Sequence, residues 1–146
     1  MTEAELHMWT GIAVVLSSLV AGTWGGVAWG RRKPSVTFWY LLRVAQALVV
    51  LQVLLGAVLL LIGREPPDGL HYVYGLLPLL VSFLGEGARS SAADRALEGL
   101  DYDALPENRQ REVVLEINRG ETGIMALSAL VIFGLALRAA FTSGGL

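Results

Sequence analysis

The chain contains no cysteine. That removes disulfides, thiolate metal sites, iron–sulfur clusters, covalently attached c-type haem and cysteine nucleophiles at once, and leaves the redox compartment unreadable from cysteine usage. Charge is scarce as well: 16% of residues are charged and the formal net charge is −2, so the basic footprint that nucleic acid requires is missing. The sequence has no Gly-rich phosphate loop, no His-Glu-x-x-His zinc motif and no arrangement suited to a serine triad, which excludes a soluble-type hydrolase or nucleotide enzyme. No catalytic residue is expected. The apolar interior carries no aspartate or glutamate at mid-depth, which argues against a solitary ion-coupled transporter. The opening Met-Thr-Glu-Ala-Glu-Leu-His-Met is acidic where a secretory signal would be basic, so no cleaved signal is expected.

What is abundant is apolar surface, at 54% hydrophobic residues and a mean hydropathy of +0.57. A chain of 146 residues with this balance reads as a single all-α, polytopic membrane domain over 1–146. Four transmembrane helices are expected at about 9–30, 38–62, 69–87 and 122–140, packed as an antiparallel bundle. Trp9 and Trp29 bracket the first span at headgroup level. Arg31-Arg32-Lys33-Pro34 and Ser35 supply a stop and a new start. Gly63 to Gly69, with Pro66 and Pro67, forms a short turn. The apolar part of the third span, Tyr72 to Leu84, is short for a bilayer, so its first turn with His71 is expected to be drawn towards the membrane, and Pro78 to kink it or free the Tyr74 carbonyl.

Arginine and lysine sort by side. Arg31, Arg32, Lys33, Arg89, Arg95, Arg109, Arg111 and Arg119 fall in the first and third connections, against Arg64 and Arg138 on the other side. The positive-inside rule then predicts a cytoplasmic (inner) membrane protein with both termini outside. The connection at about 88–121 is rich in helix formers. It predicts that the third and fourth helices extend as a cytoplasmic hairpin, with Ala92, Ala96 and Leu97 facing Val113, Val114 and Ile117. Gly99 suits the end of the outgoing helix, and Asp103 and Pro106 the start of the returning one.

Helix contacts are expected along Ser18, Gly22, Gly26 and Gly30, small residues at every fourth position that admit a neighbouring backbone. Gln46 and Gln52 need hydrogen-bond partners in hydrocarbon, and Gly56 lets a helix come close beside Gln52.

The two histidines occur in matching hexads, Leu6-His7-Met8-Trp9-Thr10-Gly11 and Leu70-His71-Tyr72-Val73-Tyr74-Gly75, each opening an odd-numbered helix. A glycine one turn after a histidine leaves room for a flat macrocycle, and two neutral imidazoles are axial ligands of b-type haem. On these hexads and on its organisation, the chain resembles the haem-bearing four-helix bundles of haem A synthase halves and cytochrome b561-type proteins. The resemblance implies haem b, with His71 and His7 on the iron and Gly75 and Gly11 beside the ring. Depth argues otherwise: from Arg31 back to His7 and from Glu86 back to His71, a rise of ~1.5 Å per residue gives reaches of roughly 36 and 23 Å, an offset that keeps the rings apart unless tilt or a third helix beginning deeper closes it. The expected role is therefore a non-catalytic subunit or accessory factor of a larger membrane assembly, in contact with lipid and with other subunits or a second copy. The alternative is a haem b-binding electron-transfer or haem-handling protein.

Overall fold

The computed structural model describes residues 2–66 and 68–142. Pro67 of the expected turn and the tail beyond Thr142 lie outside them. The described chain is all-α: α1 (Glu3–Gly30), α2 (Val36–Leu61), α3 (Leu70–Leu97) and α4 (Glu107–Thr142), with a 3-10 turn at Tyr102–Ala104. Three of these, α1, α2 and α4, are long and apolar enough to cross a membrane.

Local chemistry explains where each helix begins. Thr2 and Glu5 form a reciprocal capping box, which starts α1 six residues before the expected span and puts His7 inside the helix. Ser35 caps α2 by accepting from the Phe38 amide, and also accepts from the Trp24 indole at 3.0 Å. Asp68 accepts from the Leu70 amide at the start of α3. Pro78 is buried within α3 and does not end it. The expected cap at Asp103 is instead part of the 3-10 turn, and α4 begins after Pro106, whose carbonyl accepts from Arg109 and Gln110. Gly99 follows α3 with φ +74, the left-handed geometry that terminates a helix at low cost.

The helices form a four-helix bundle in which α4 packs on both α1 and α3, α1 packs on α2, and α2 touches α3 only sparingly. One end holds Arg31 to Lys33 and is called the arginine end; the other is the histidine end. The main core lies towards the arginine end, with Ala21, Phe38, Leu42, Ala45, Met125, Ala126 and Ala129, and a second cluster joins Val14, Val49 and Ile132. No residue of α2 beyond Val49 and none of α3 before Pro78 is buried. The bundle is thus tight at one end and open between α2 and α3 at the other.

Large apolar side chains such as Leu16, Val44, Leu54, Leu127 and Val131 point outward. In lipid such a surface costs nothing, and close packing of small residues holds helices together. The packed stripe of α1 is Ser18, Ala21, Gly22, Gly25 and Ala28. A methyl on Gly22 would strike Leu130, and one on Gly25 would strike Phe38 and Ala126, whereas Gly26 and Gly30 face open space. The reason is helical geometry: each fourth residue advances about 40° around the axis, so a row of four drifts off the interface.

α3 and α4 both extend through the 88–121 region as expected, but the anticipated facing residues do not form a seam. Leu97 is 40% exposed and Val114 50% exposed, Ala96 is exposed, and only Ala92, Val113 and Ile117 are half-buried. Gly120 and Gly123 lie within one unbroken helix.

Candidate functional site

At the histidine end, His7 of α1 and His71 of α3 meet with ring centroids 6.1 Å apart and planes inclined at 59°. This overturns the depth expectation, and the packing gives the reason. Gly85 packs against Met125 and Ser128, while Gly25 packs against Ala126 and Trp29 against Gly123. Glu86 therefore lies near the level of Gly25, about six residues or roughly 9 Å inward of Arg31 along α1. Counting back from Arg31 and Glu86 as if they shared one plane created most of the apparent offset.

Each imidazole is held by one nitrogen. His71 Nδ1 lies 3.0 Å from the Ala139 carbonyl, with the Thr142 hydroxyl at 3.5 Å. The carbonyl can only accept, so Nδ1 carries the proton and Nε2 keeps its lone pair. His7 Nε2 lies 3.2 Å from the Gln52 side-chain amide. His7 Nδ1 and Gln52 Oε1 are buried without a partner. A half-turn of the Gln52 amide exchanges its ends: Oε1 then accepts from His7 Nε2–H, and His7 Nδ1 keeps an unfilled lone pair. The site thus presents two imidazoles, each oriented by a second group and each with a spare nitrogen.

The glycines around them differ. A methyl on Gly56 would sit 3.2 Å from His7 Cε1, and one on Gly11 would sit 3.1 Å from Gln52 Nε2, while Gly75 has nothing within 4 Å. Gly56, expected as a helix-packing residue, therefore seats His7, and Gly11 seats the amide that orients it. Tyr74 lies under the Arg138 guanidinium, 5.6 Å from its ring centre. Among the described residues no group of three or more histidine, aspartate or glutamate side chains gathers to hold a metal ion.

A second polar cluster, not anticipated from the sequence, crosses the bundle nearer the arginine end. Glu86 of α3 accepts from Arg43 and Gln46 of α2 and from Arg89, which also reaches Glu121 of α4 at 3.0 Å. Arg89 lies 5.5 Å from the Trp39 ring centre. Its guanidinium thus lies between two carboxylates, Glu86 at 2.8 Å and Glu121 at 3.0 Å. The signal was present as two pairs at i, i+3, Arg43 with Gln46 and Glu86 with Arg89.

The chain matches no family model, no curated protein and no solved structure.

Proposed function

We propose that the protein is a membrane haem b protein whose axial ligands are His7 and His71, serving electron transfer or haem handling. The observation that carries this reading is the approach of the two rings at 6.1 Å. Metal–imidazole bonds of about 2.0–2.1 Å on both faces of one iron, plus the distance from each nitrogen to its ring centre, give a centroid separation of about 6 Å. A lone pair of histidines is too few for a tetrahedral zinc site. It suffices for haem, whose macrocycle supplies the other four nitrogens.

The surroundings fit the group. The spare nitrogens are His7 Nδ1 and His71 Nε2, and the orienting contacts from Gln52 and Ala139 are of the kind that fix ligand histidines. α2 and α3 touch only sparingly, and Gly75, beside which a methyl would meet nothing within 4 Å, leaves a bare flank at the histidine end. When bound, haem would supply one-electron chemistry between ferric and ferrous iron. The chain's own part is to hold two neutral imidazoles and to shield them from bulk water. Protein purified with haem supplied is expected to show a Soret band and, on reduction, a sharp α band. Protein that stays colourless after supplementation overturns the reading.

The topology proposed with it has α3 as a fourth span, the helices antiparallel, the 31–35 and 98–106 connections inside and both termini outside. It is supported by the arginine distribution and by α3 lying alongside α4. Reporters fused at the N-terminus and after Leu146 are expected to read the outer compartment, and cytoplasmic signals from both would reverse the orientation. The accessory-subunit role has no contact here that favours it, because lipid covers the exposed apolar faces equally well.

A further inference from the structure

The arginine end carries a notch between the end of α1 and the middle of α4, lined by Trp29, Arg32, Lys33, Asn118 and Arg119 among others. Four arginines towards this end are neutralised: Arg43, Arg89, Arg109 and Arg111 each have a carboxylate within 4.0 Å. Among the described residues Arg32, Lys33 and Arg119 appear in no ion pair. Arg119 lies 5.4 Å from the Trp29 ring centre, and its Nε is buried without a hydrogen-bond partner. Arg32 takes φ +53, an uncommon backbone for a side chain of its size. Three cations converge on one concavity in a chain that is acidic overall.

We infer that this notch binds the phosphate of an anionic lipid headgroup. An unpaired guanidinium N–H in a half-buried site calls for an acceptor, and a phosphate oxygen bonded to a guanidinium is a strong charge-assisted pair. The enclosed part of the notch is about the size of one water, so a single oxyanion oxygen enters while the rest of the headgroup stays at the mouth. Trp29 provides an aromatic of the kind that sits at headgroup depth. With the proposed orientation the notch faces the anionic cytoplasmic leaflet. Free phosphate shares the same chemistry and is separated from lipid by the test.

The test is native mass spectrometry of the full chain in detergent, titrated with phosphatidylglycerol, with phosphatidylcholine, and with phosphatidylglycerol in competition with inorganic phosphate. Wild-type protein is expected to retain phosphatidylglycerol over phosphatidylcholine. Arg119→Gln and Lys33→Gln are each expected to lower that preference about fivefold, whereas Arg109→Gln, away from the notch, leaves it unchanged. Lys33 is exposed, so its variant reads the site even if the Arg119 variant misfolds. Displacement by inorganic phosphate, beyond that by chloride at equal ionic strength, makes free phosphate the ligand and overturns the lipid assignment. Equal retention of both lipids, or equal losses in the Arg109 and Lys33 variants, overturns the site altogether. The Soret band is expected to be the same in all three variants, so this result stands apart from the haem reading.

Discussion

Polar side chains cross the bundle at two levels, and the two crossings are built to different ends. Towards the arginine end, Glu86 faces two arginines and an amide from two helices, and Arg89 divides itself between Glu86 and Glu121. Opposite charges cancel and the carboxylates are filled with donors. Such a network is complete without any ligand. At the histidine end all four helices contribute, through His7, Gln52, His71 and the Ala139 carbonyl, with no carboxylate or guanidinium among them, and with the Gln52 amide turned to accept from His7 the set leaves the His7 Nδ1 lone pair without a partner. Buried orphans cost about 1–3 kcal/mol each. The first cluster explains itself as structure, and the second makes physical sense with something bound.

Removing a ligand histidine breaks the comparison most sharply. His71→Ala is expected to abolish the Soret absorbance of haem-loaded protein, and His71→Gln to fail almost as badly, because an amide is a poor iron ligand. If His71 served only to bond α4, glutamine would restore much of the loss, and near-normal absorbance in that variant would sink the ligand assignment.

The corresponding cut in the other cluster is expected to act on stability and leave the spectrum intact. Glu86→Ala leaves Arg43 and Arg89 facing each other without the carboxylate between them. Because these groups keep some access to water, the expected cost is about 2–3 kcal/mol, below that of a fully buried pair. Thermal unfolding in detergent measures it. A lost Soret band at unchanged melting temperature would show that the two clusters are not separate in role.

How much of this was legible in the sequence depends on which interactions are periodic. The helices were readable because apolar runs, Ser35 and Gly99 are local signals. The pairing of His7 with His71 was visible as matching hexads but was obscured by the assumption that Arg31 and Glu86 mark one plane. Glu86 sits deeper because Arg43, Gln46 and Arg89 satisfy it there, and such a long-range pairing has no trace in hydropathy. Ala139 was unreadable for another reason: it acts through its backbone carbonyl, which any residue would supply. The small-residue row of α1 was recognised with the wrong pitch, so Ser18 and Gly22 pack while Gly26 and Gly30 do not.

The amide that holds His7 gives a smaller and more selective effect. Gln52→Leu keeps the volume and removes the hydrogen bond, so the ring loses its orientation. Haem affinity is expected to fall about tenfold, at the lower end for groups that orient metal ligands. Gln52→Glu, which can still accept from His7 Nε2–H, should recover part of it. Haem titration of the apoprotein measures both, and equal affinity in wild type and Gln52→Leu would show that Gln52 does not position the ligand.

The smallest expected effect comes from Gly56→Ala, and its sign differs between the two measurements that read it. In an isolated helix the change is favourable by about 1 kcal/mol, since alanine is the better helix former. Here the added methyl would lie 3.2 Å from His7 Cε1, closer than comfortable contact, so the imidazole must shift by a few tenths of an ångström. The helical gain and the contact cost offset each other, and the melting temperature of the apoprotein is expected to stay within a degree or two of wild type. Haem binding has no such compensation, because it depends on where His7 points, and a several-fold loss of affinity is expected. Gly75→Ala, with open space beside it, is the paired control. Having the helical gain without the contact cost, it should raise the apoprotein's melting temperature by a few degrees, but it narrows the flank where the macrocycle would lie and should weaken haem binding without moving His71. Variants at both glycines that bind haem as wild type does would mean that the ring lies elsewhere, and that the open side between α2 and α3 is not its seat.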